Sequence, residues 1–324
     1  MEKRNYNKKV ITKLKLDDDT VISDPKKILA EEKKFYEKIY NKSNTQNEAP
    51  NIDFFSNDID CPKLEEDDIN MLEDPITENE ILNALKNTKN DKAPGLDGFQ
   101  AEFYKFFWND IKEYLIGSYN HAFESGKLSI TQRQGLICVI PKKSKDILKL
   151  SNWRPISLLN QDYKLLSKAL SIRIQSVIEK IIHSDQTGFI KNRFIGENIA
   201  KDLSIIDFCE KENIPGLLIS VDMEKAFDFL EWNFIDKSLR FFHFPENIIR
   251  WIKVLYTDIN SRVSNNGHLS EPFNISRSVR QGCCLSPYIF VICMELLAIS
   301  IRKNEKIKGI KCKNTEYKLS LIHI

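Results

Sequence analysis

The sequence predicts an α+β fold, helix-rich with a small antiparallel sheet, on three observations. Capped stretches with apolar residues at helical spacing fill most of the first half. Short β-favouring runs bounded by turn residues are concentrated in the second half, where Asn265-Asn266-Gly267 punctuates a hairpin. An almost wholly apolar helix, Cys284 to Ser300, then follows, so the strands are covered by helices on one face.

The elements follow in order. Asp24 and Pro25 form an N-cap and first-turn pair, after which Ile28, Leu29, Phe35, Tyr36, Ile39 and Tyr40 keep a helical period. Asn41 to Asp60 reads as a linker. Thr77 with Glu80 is a capping box for a helix bearing Ile81, Leu82 and Leu85. The run Lys92-Ala93-Pro94-Gly95-Leu96-Asp97-Gly98 cannot continue that helix, and the helical pattern resumes from Phe99 to Phe123. Gly135 to Pro141 is an apolar strand ending in Lys142-Lys143, and Tyr163 to His183 is a long amphipathic helix. Gly216 to Val221 reads as a short apolar strand ending on Asp222, followed by a helical pattern through Phe242. Ser261 to Val279 reads as the hairpin.

Composition bounds the function classes. With 324 residues, 42% of them apolar, and 48 basic against 46 acidic side chains, the chain has the composition of a soluble globular protein. The longest apolar stretch, Tyr288 to Ser300, is broken by Glu295 and falls short of the roughly 18 to 20 residues a bilayer requires, so no membrane partner is expected. No charged leader followed by an apolar core opens the chain, and secretion is not indicated; a nuclear or a cytoplasmic address is left open. Seven scattered cysteines, none paired across a two-residue gap, read mostly as buried hydrophobes in a reducing compartment, and five dispersed histidines give zinc no spacing to bind.

A formal charge of +2 hides an asymmetry. Residues 51 to 80 carry eleven acidic groups against Lys63 alone, and read as a solvated linker. From Lys127 to Arg193 there are thirteen Lys or Arg against four acidic residues. Such a stripe either attracts a polyanion, nucleic acid being the commonest, or is a solvated lysine-rich face.

Two segments carry candidate chemistry. Asp222, directly after its strand, would project from a sheet edge into a cleft, where a carboxylate suits a divalent metal; an Asp at a strand end is more often an N-cap. Phe227 reads on position as core, and Asp228, six residues beyond Asp222 in a helical pattern, as a surface or capping residue. Arg280-Gln281-Gly282-Cys283-Cys284-Leu285-Ser286-Pro287 sets a flexible Gly and polar Gln281 and Arg280 at the mouth of the apolar helix, where phosphate or a base edge could be received. Its bland reading is a strand-to-helix turn with Pro287 in the first turn.

Taken in order, the segments converge. Lys92 to Gly98, Val139 to Lys143, Asn152 to Asn160, His183 to Phe189, Asp222 to Phe227 and Arg280 to Pro287 together resemble the reverse transcriptases of non-long-terminal-repeat (LINE-type) retrotransposons, from about Lys26 onward. The resemblance implies a right-hand polymerase: an N-terminal extension and acidic linker over 1–75, fingers over 76–215 and part of a palm over 216–324. It implies an RNA template, a DNA primer and dNTP as partners and Mg²⁺ as cofactor. Asp222 matches the first metal-binding, catalytic aspartate, and Phe227 the aromatic that excludes a ribose 2′-hydroxyl. Gln281 and Gly282 match the box that aligns template and nucleotide, while Lys142 or Lys143 with Arg154 match the positions that hold the triphosphate.

The sequence departs from the family where a strand like Tyr317 to Leu321 would lead into a Phe-Ala-Asp-Asp box and instead reads Ile322-His323-Ile324. The expectation is a polymerase fragment, inactive because a lone Asp222 cannot hold two metals, with part of the Cys284–Ser300 helix left uncovered. A non-enzymatic RNA-binding remnant and a degenerate gene product are the alternatives.

Overall fold

The computed structural model describes residues 10–41, 61–312 and 315–320. The elements are β1 (Leu14–Lys15), β2 (Val21–Ile22), α1 (Pro25–Tyr40), α2 (Glu66–Glu73), α3 (Glu78–Lys86), α4 (Ala101–Phe106), α5 (Trp108–Ser125), α6 (Ile130–Arg133), β3 (Gln134–Pro141), β4 (Trp153–Leu159), α7 (Gln161–Ile181) and α8 (Ile195–Lys211). They continue as α9 (Trp232–Phe241), α10 (Glu246–Tyr256), β5 (Asn260–Asn265), β6 (His268–Leu269), β7 (Phe273–Asn274), α11 (Ser286–Lys303), β8 (Ile310–Cys312) and β9 (Thr315–Tyr317). The fold is α+β, as the sequence predicts. The linker expected from Asn41 to Asp60 lies, past Asn41, outside the described residues.

Local chemistry sets the helix starts. Asp24 accepts the Lys27 amide at 2.8 Å, with Pro25 in the first turn of α1. Thr77 and Glu80 exchange both bonds of the capping box that opens α3. The helical run predicted from Phe99 to Phe123 divides at Phe107 into α4 and α5.

The main sheet runs β4-β3-β5-β6, with β7 also on β5. β3 and β4 form an antiparallel hairpin from Gly135↔Leu159 to Pro141↔Trp153, while β3 and β5 pair in parallel. The long helical connection between β3 and β5 permits that parallel pairing. Ile137, Val139, Leu159 and Val263 face the core that they share with Leu166, Leu170 and Ile174 of α7. Ile140 and Arg154, paired across the hairpin, stand exposed on its other face. Asn265 of β5 closes a two-way amide clamp on Ile11, accepting its N–H at 3.1 Å and donating to its C=O at 3.0 Å.

One expectation is corrected here and another qualified. The acidic segment is not simply a solvated linker: Asp68 pairs with Lys180, and Glu80 with the buried Arg173, so its carboxylates dock α2 and α3 on α7. The apolar helix is covered over most of its length, Ile289, Phe290, Val291, Ile292, Cys293 and Leu296 of α11 being buried, and only in part uncovered, at Cys284 just before it and at Leu297. Among the described residues no helix is long and apolar enough to cross a membrane.

Candidate nucleic-acid interface

The segment Ser278 to Gly282 is the centre of the site, and backbone hydrogen bonds hold it from both sides. On one side Ser278 N–H donates to Leu230 C=O (2.8 Å) and Val279 N–H to Phe227 C=O (2.9 Å). On the other, Ser157 N–H at the edge of β4 donates to Gln281 C=O at 2.7 Å. Gly282 sits against the same strand at φ 117, where an added Cβ would come within 2.4 Å of the Ser157 oxygen. Only glycine permits that backbone and that approach together. The box therefore couples the Phe227 turn to the β3–β4 hairpin.

Gln281 Nε2 donates to Asp228 Oδ1 at 3.0 Å. Asp228 is buried, contrary to its expected place at the surface. Lys225 adopts φ 50 and starts a tight turn in which Asp228 N–H returns to Lys225 C=O at 2.8 Å, and this carries the carboxylate inward. Burial pushes the Asp228 carboxyl up to about 6, against the pull of the Gln281 hydrogen bond and the Lys225 and Lys142 charges. Phe227 is half-buried, its ring 4.8 Å from Phe290 and 6.3 Å from Phe189.

Arg280 is buried rather than at the mouth. It donates to Arg133 C=O at 2.7 Å and lies over the Tyr163 ring. The His183–Phe189 box is anchored from below, where Arg302 Nη1 reaches both carboxylate oxygens of Asp185 at 3.0 and 2.8 Å while its Nη2 pairs with Glu295. The Lys92–Gly98 loop is pinned to Asn160, whose atoms stand within 2.7 Å of the place a Gly95 Cβ would take.

The basic stripe is not one continuous face. Arg173 and Lys180 are ion-paired, while Lys164, Lys168 and Arg193 donate to backbone carbonyls. Lys142 donates to Ser151 C=O at 2.9 Å and braces the hairpin. Of the exposed cations without such partners among the described residues, Lys143, Lys145, Lys149 and Arg154 gather at the hairpin and its connection, while Lys191 stands apart. Charge there is free to meet a phosphate backbone.

Asp222 is placed differently from its expectation. Residues 214–223 form no strand, and Leu217, Leu218, Ile219 and Val221 are 71 to 84% exposed. A strand exists only through hydrogen bonds to a neighbour, and no described strand pairs with this run, although Ile310 of β8 packs beside Gly216. Asp222 is therefore exposed on a connection, not at a sheet edge. Among the described residues no three His, Cys, Asp or Glu side chains gather as a metal site. Because Mg²⁺ calls for several oxygen ligands, the residues described here do not by themselves make its site.

The structure thus brings together Phe227, Gln281, Gly282 and the hairpin bearing Lys142, Lys143 and Arg154, and does not join Asp222 to them. It adds Asp228, Phe189 and, through a bond of 3.5 Å to Asp228, the Tyr40 hydroxyl. Tyr40 was visible in the sequence as part of the inward stripe of α1; Asp228 had no local signal.

The comparisons fit this arrangement. The family model described as reverse transcriptase (RNA-dependent DNA polymerase) matches residues 140–317. The Transposon TX1 uncharacterized 149 kDa protein of Xenopus laevis is 30% identical over 321 residues, 99% of this chain and 24% of that protein. The Pol polyprotein of the type-1 retrotransposable element R2 of Popillia japonica is 25% identical over 72% of this chain and 32% of its own length. The RNA-directed DNA polymerase from mobile element jockey of Drosophila funebris is 25% identical over 68% of this chain and 24% of its own length. The chain thus spans about a quarter to a third of these curated relatives, which are proteins of non-long-terminal-repeat retrotransposons. With its matched segment covering more than half of its length, the chain belongs to the reverse transcriptase family.

Proposed function

We propose that this chain is the fingers and part of the palm of an RNA-directed DNA polymerase, with the extension at 1–75, fingers at 76–215 and palm residues at 216–324. The groove between the β3–β4 hairpin and the Ser278–Gly282 box takes the template and the incoming dNTP. The observation that carries this reading is the direct seating of Gln281-Gly282 on β4, beside Phe227. Lys143 and Arg154 attract the triphosphate and template phosphates, and Lys142 keeps the hairpin rigid behind them. Gln281 offers an amide to the nascent base pair, and Phe227 stands where a sugar 2′ substituent would press. Phosphoryl transfer depends mainly on such positioning and on charge neutralisation. Asp222 is the carboxylate this chain would contribute toward Mg²⁺, which supplies the charge neutralisation when bound.

The test is fluorescence anisotropy of the whole chain with a labelled RNA–DNA primer–template across a salt series. Binding should weaken with salt, and replacing Lys143, Lys145, Lys149 and Arg154 by Ala should reduce the log–log slope by roughly 0.7 to 0.9 per lost phosphate contact. Mg²⁺ with the dNTP complementary to the template should tighten the complex more than a mismatched dNTP. An unchanged slope in the quadruple variant would remove the hairpin from the interface. Binding without dNTP discrimination would favour a non-enzymatic RNA-binding protein, the reading that the basic charge from Lys127 to Arg193 motivates.

A further inference from the structure

Helix α1 lies outside the segment matched by the family, which begins at residue 140, yet it is built into the box that carries Gln281. Its C-terminal carbonyls, which a helix leaves without internal partners, are satisfied by the approach to that box. Tyr40 C=O accepts the amides of Ser276 (3.0 Å) and Arg277 (3.2 Å), and Ile39 C=O accepts Arg277 Nε at 2.8 Å.

The side chains continue the connection. Glu32, Tyr36 and Tyr40 recur at four-residue spacing and are all buried, so they form one inward stripe. The Tyr36 and Tyr40 rings stack with centroids 6.2 Å apart. The Tyr40 hydroxyl and Gln281 Nε2 then donate to the same oxygen, Asp228 Oδ1, at 3.5 and 3.0 Å. An ionised carboxylate only accepts, so the Gln281 amide must turn its NH₂ toward Asp228. That leaves Gln281 Oε1 and one amide hydrogen for a ligand. Without Asp228 the amide torsion is broad and two-fold, and either group could face the groove.

We propose that Asp228 is a positioning residue and Tyr40 its support: together they fix the amide plane of Gln281, and through them α1 becomes a working part of the nucleotide site. The proposal rests on the polymerase reading above for its functional half, while the clamp itself is a property of the free protein.

The experiment uses the whole chain, labelled with ¹⁵N-glutamine, and assigns the Gln281 side-chain amide by its loss in Gln281→Ala. Tyr40→Phe and Asp228→Asn should both shift that resonance while the other glutamine amides stay in place, which shows the fold intact. Affinity for the complementary dNTP, measured on the primer–template complex, should fall about 2- to 10-fold in Tyr40→Phe, the scale of one hydrogen bond. In the Gln281→Ala background Tyr40→Phe should change it less than about twofold, because the two residues act as one unit. A Gln281 resonance unmoved by both variants would overturn the clamp. An equal loss from Tyr40→Phe in both backgrounds would make Tyr40 merely structural and overturn the positioning role. A wild-type complex that binds no dNTP would instead overturn the polymerase reading and the functional half with it, leaving the resonance to decide the clamp.

Discussion

Replacing Glu32 by Gln should stabilise this protein near neutral pH. Glu32 is fully buried on α1, and burial pushes its carboxyl up to about 8, with the Asn265 amide, itself bonded to Ile11, easing the rise only in part. The ordinary value is 4.5, so between 4.5 and about 8 the folded chain holds a proton that the unfolded chain has released. Stability from this group is therefore complete below pH 4.5, declines as pH rises, and is gone above about 8. At pH 7 the difference of 2.5 pH units from 4.5 corresponds to about 3 kcal/mol, an upper bound for the gain on substitution by a neutral amide of the same shape. The assay is urea unfolding of both proteins at several pH values from 5 to 8. Asp228, Asp162 and Glu295 are also held above the ordinary carboxylate range by burial, so the wild-type slope has several sources and the informative quantity is the difference between the two proteins. Glu32→Gln should gain most at the alkaline end. A variant less stable than wild type at pH 7, with the same pH dependence, would refute the reasoning and imply that the charged carboxylate is satisfied.

Other substitutions test the frame of the site. Gly282→Ala should cost about 2 kcal/mol or more in urea unfolding, because φ 117 and a 2.4 Å approach to Ser157 C=O cannot both be kept; it should also weaken primer–template binding. Arg173→Met should cost about 3 kcal/mol, since it strands Glu80 and the carbonyls of Leu72, Asp74 and Pro75 that the guanidinium now serves. Thr77→Ala removes the α3 cap and should cost about 1 kcal/mol, readable as a lowered urea midpoint with an unchanged m value.

Much of the fold is legible because its signals are local. The Asp24-Pro25 start, the Thr77–Glu80 box, the Gly135–Pro141 strand and the Asn265-Asn266-Gly267 hairpin each need a few neighbouring residues and nothing else. The strand Trp153–Leu159 is harder to read because Pro155 interrupts its pattern; an edge position tolerates that proline. The run Gly216 to Val221 has every mark of a strand, but strand propensity acts only where a pairing partner exists. Asp228 is the instructive failure. Its spacing suits a helix surface, yet one left-handed residue, Lys225, turns the chain and buries it, a tertiary event that composition cannot announce. In the same way the thirteen cations from Lys127 to Arg193 count alike in the sequence, and only packing separates those that brace helices from those free at the hairpin.

The clamp between Ile11 and Asn265 has a consequence for how the molecule is made. Its partners are 254 positions apart, so at about 5 to 20 residues per second the ribosome exposes the first roughly 13 to 50 seconds before the second exists. Through that interval the buried side of α1 has no β5 to rest on, so its apolar stripe stays exposed until the second partner is made.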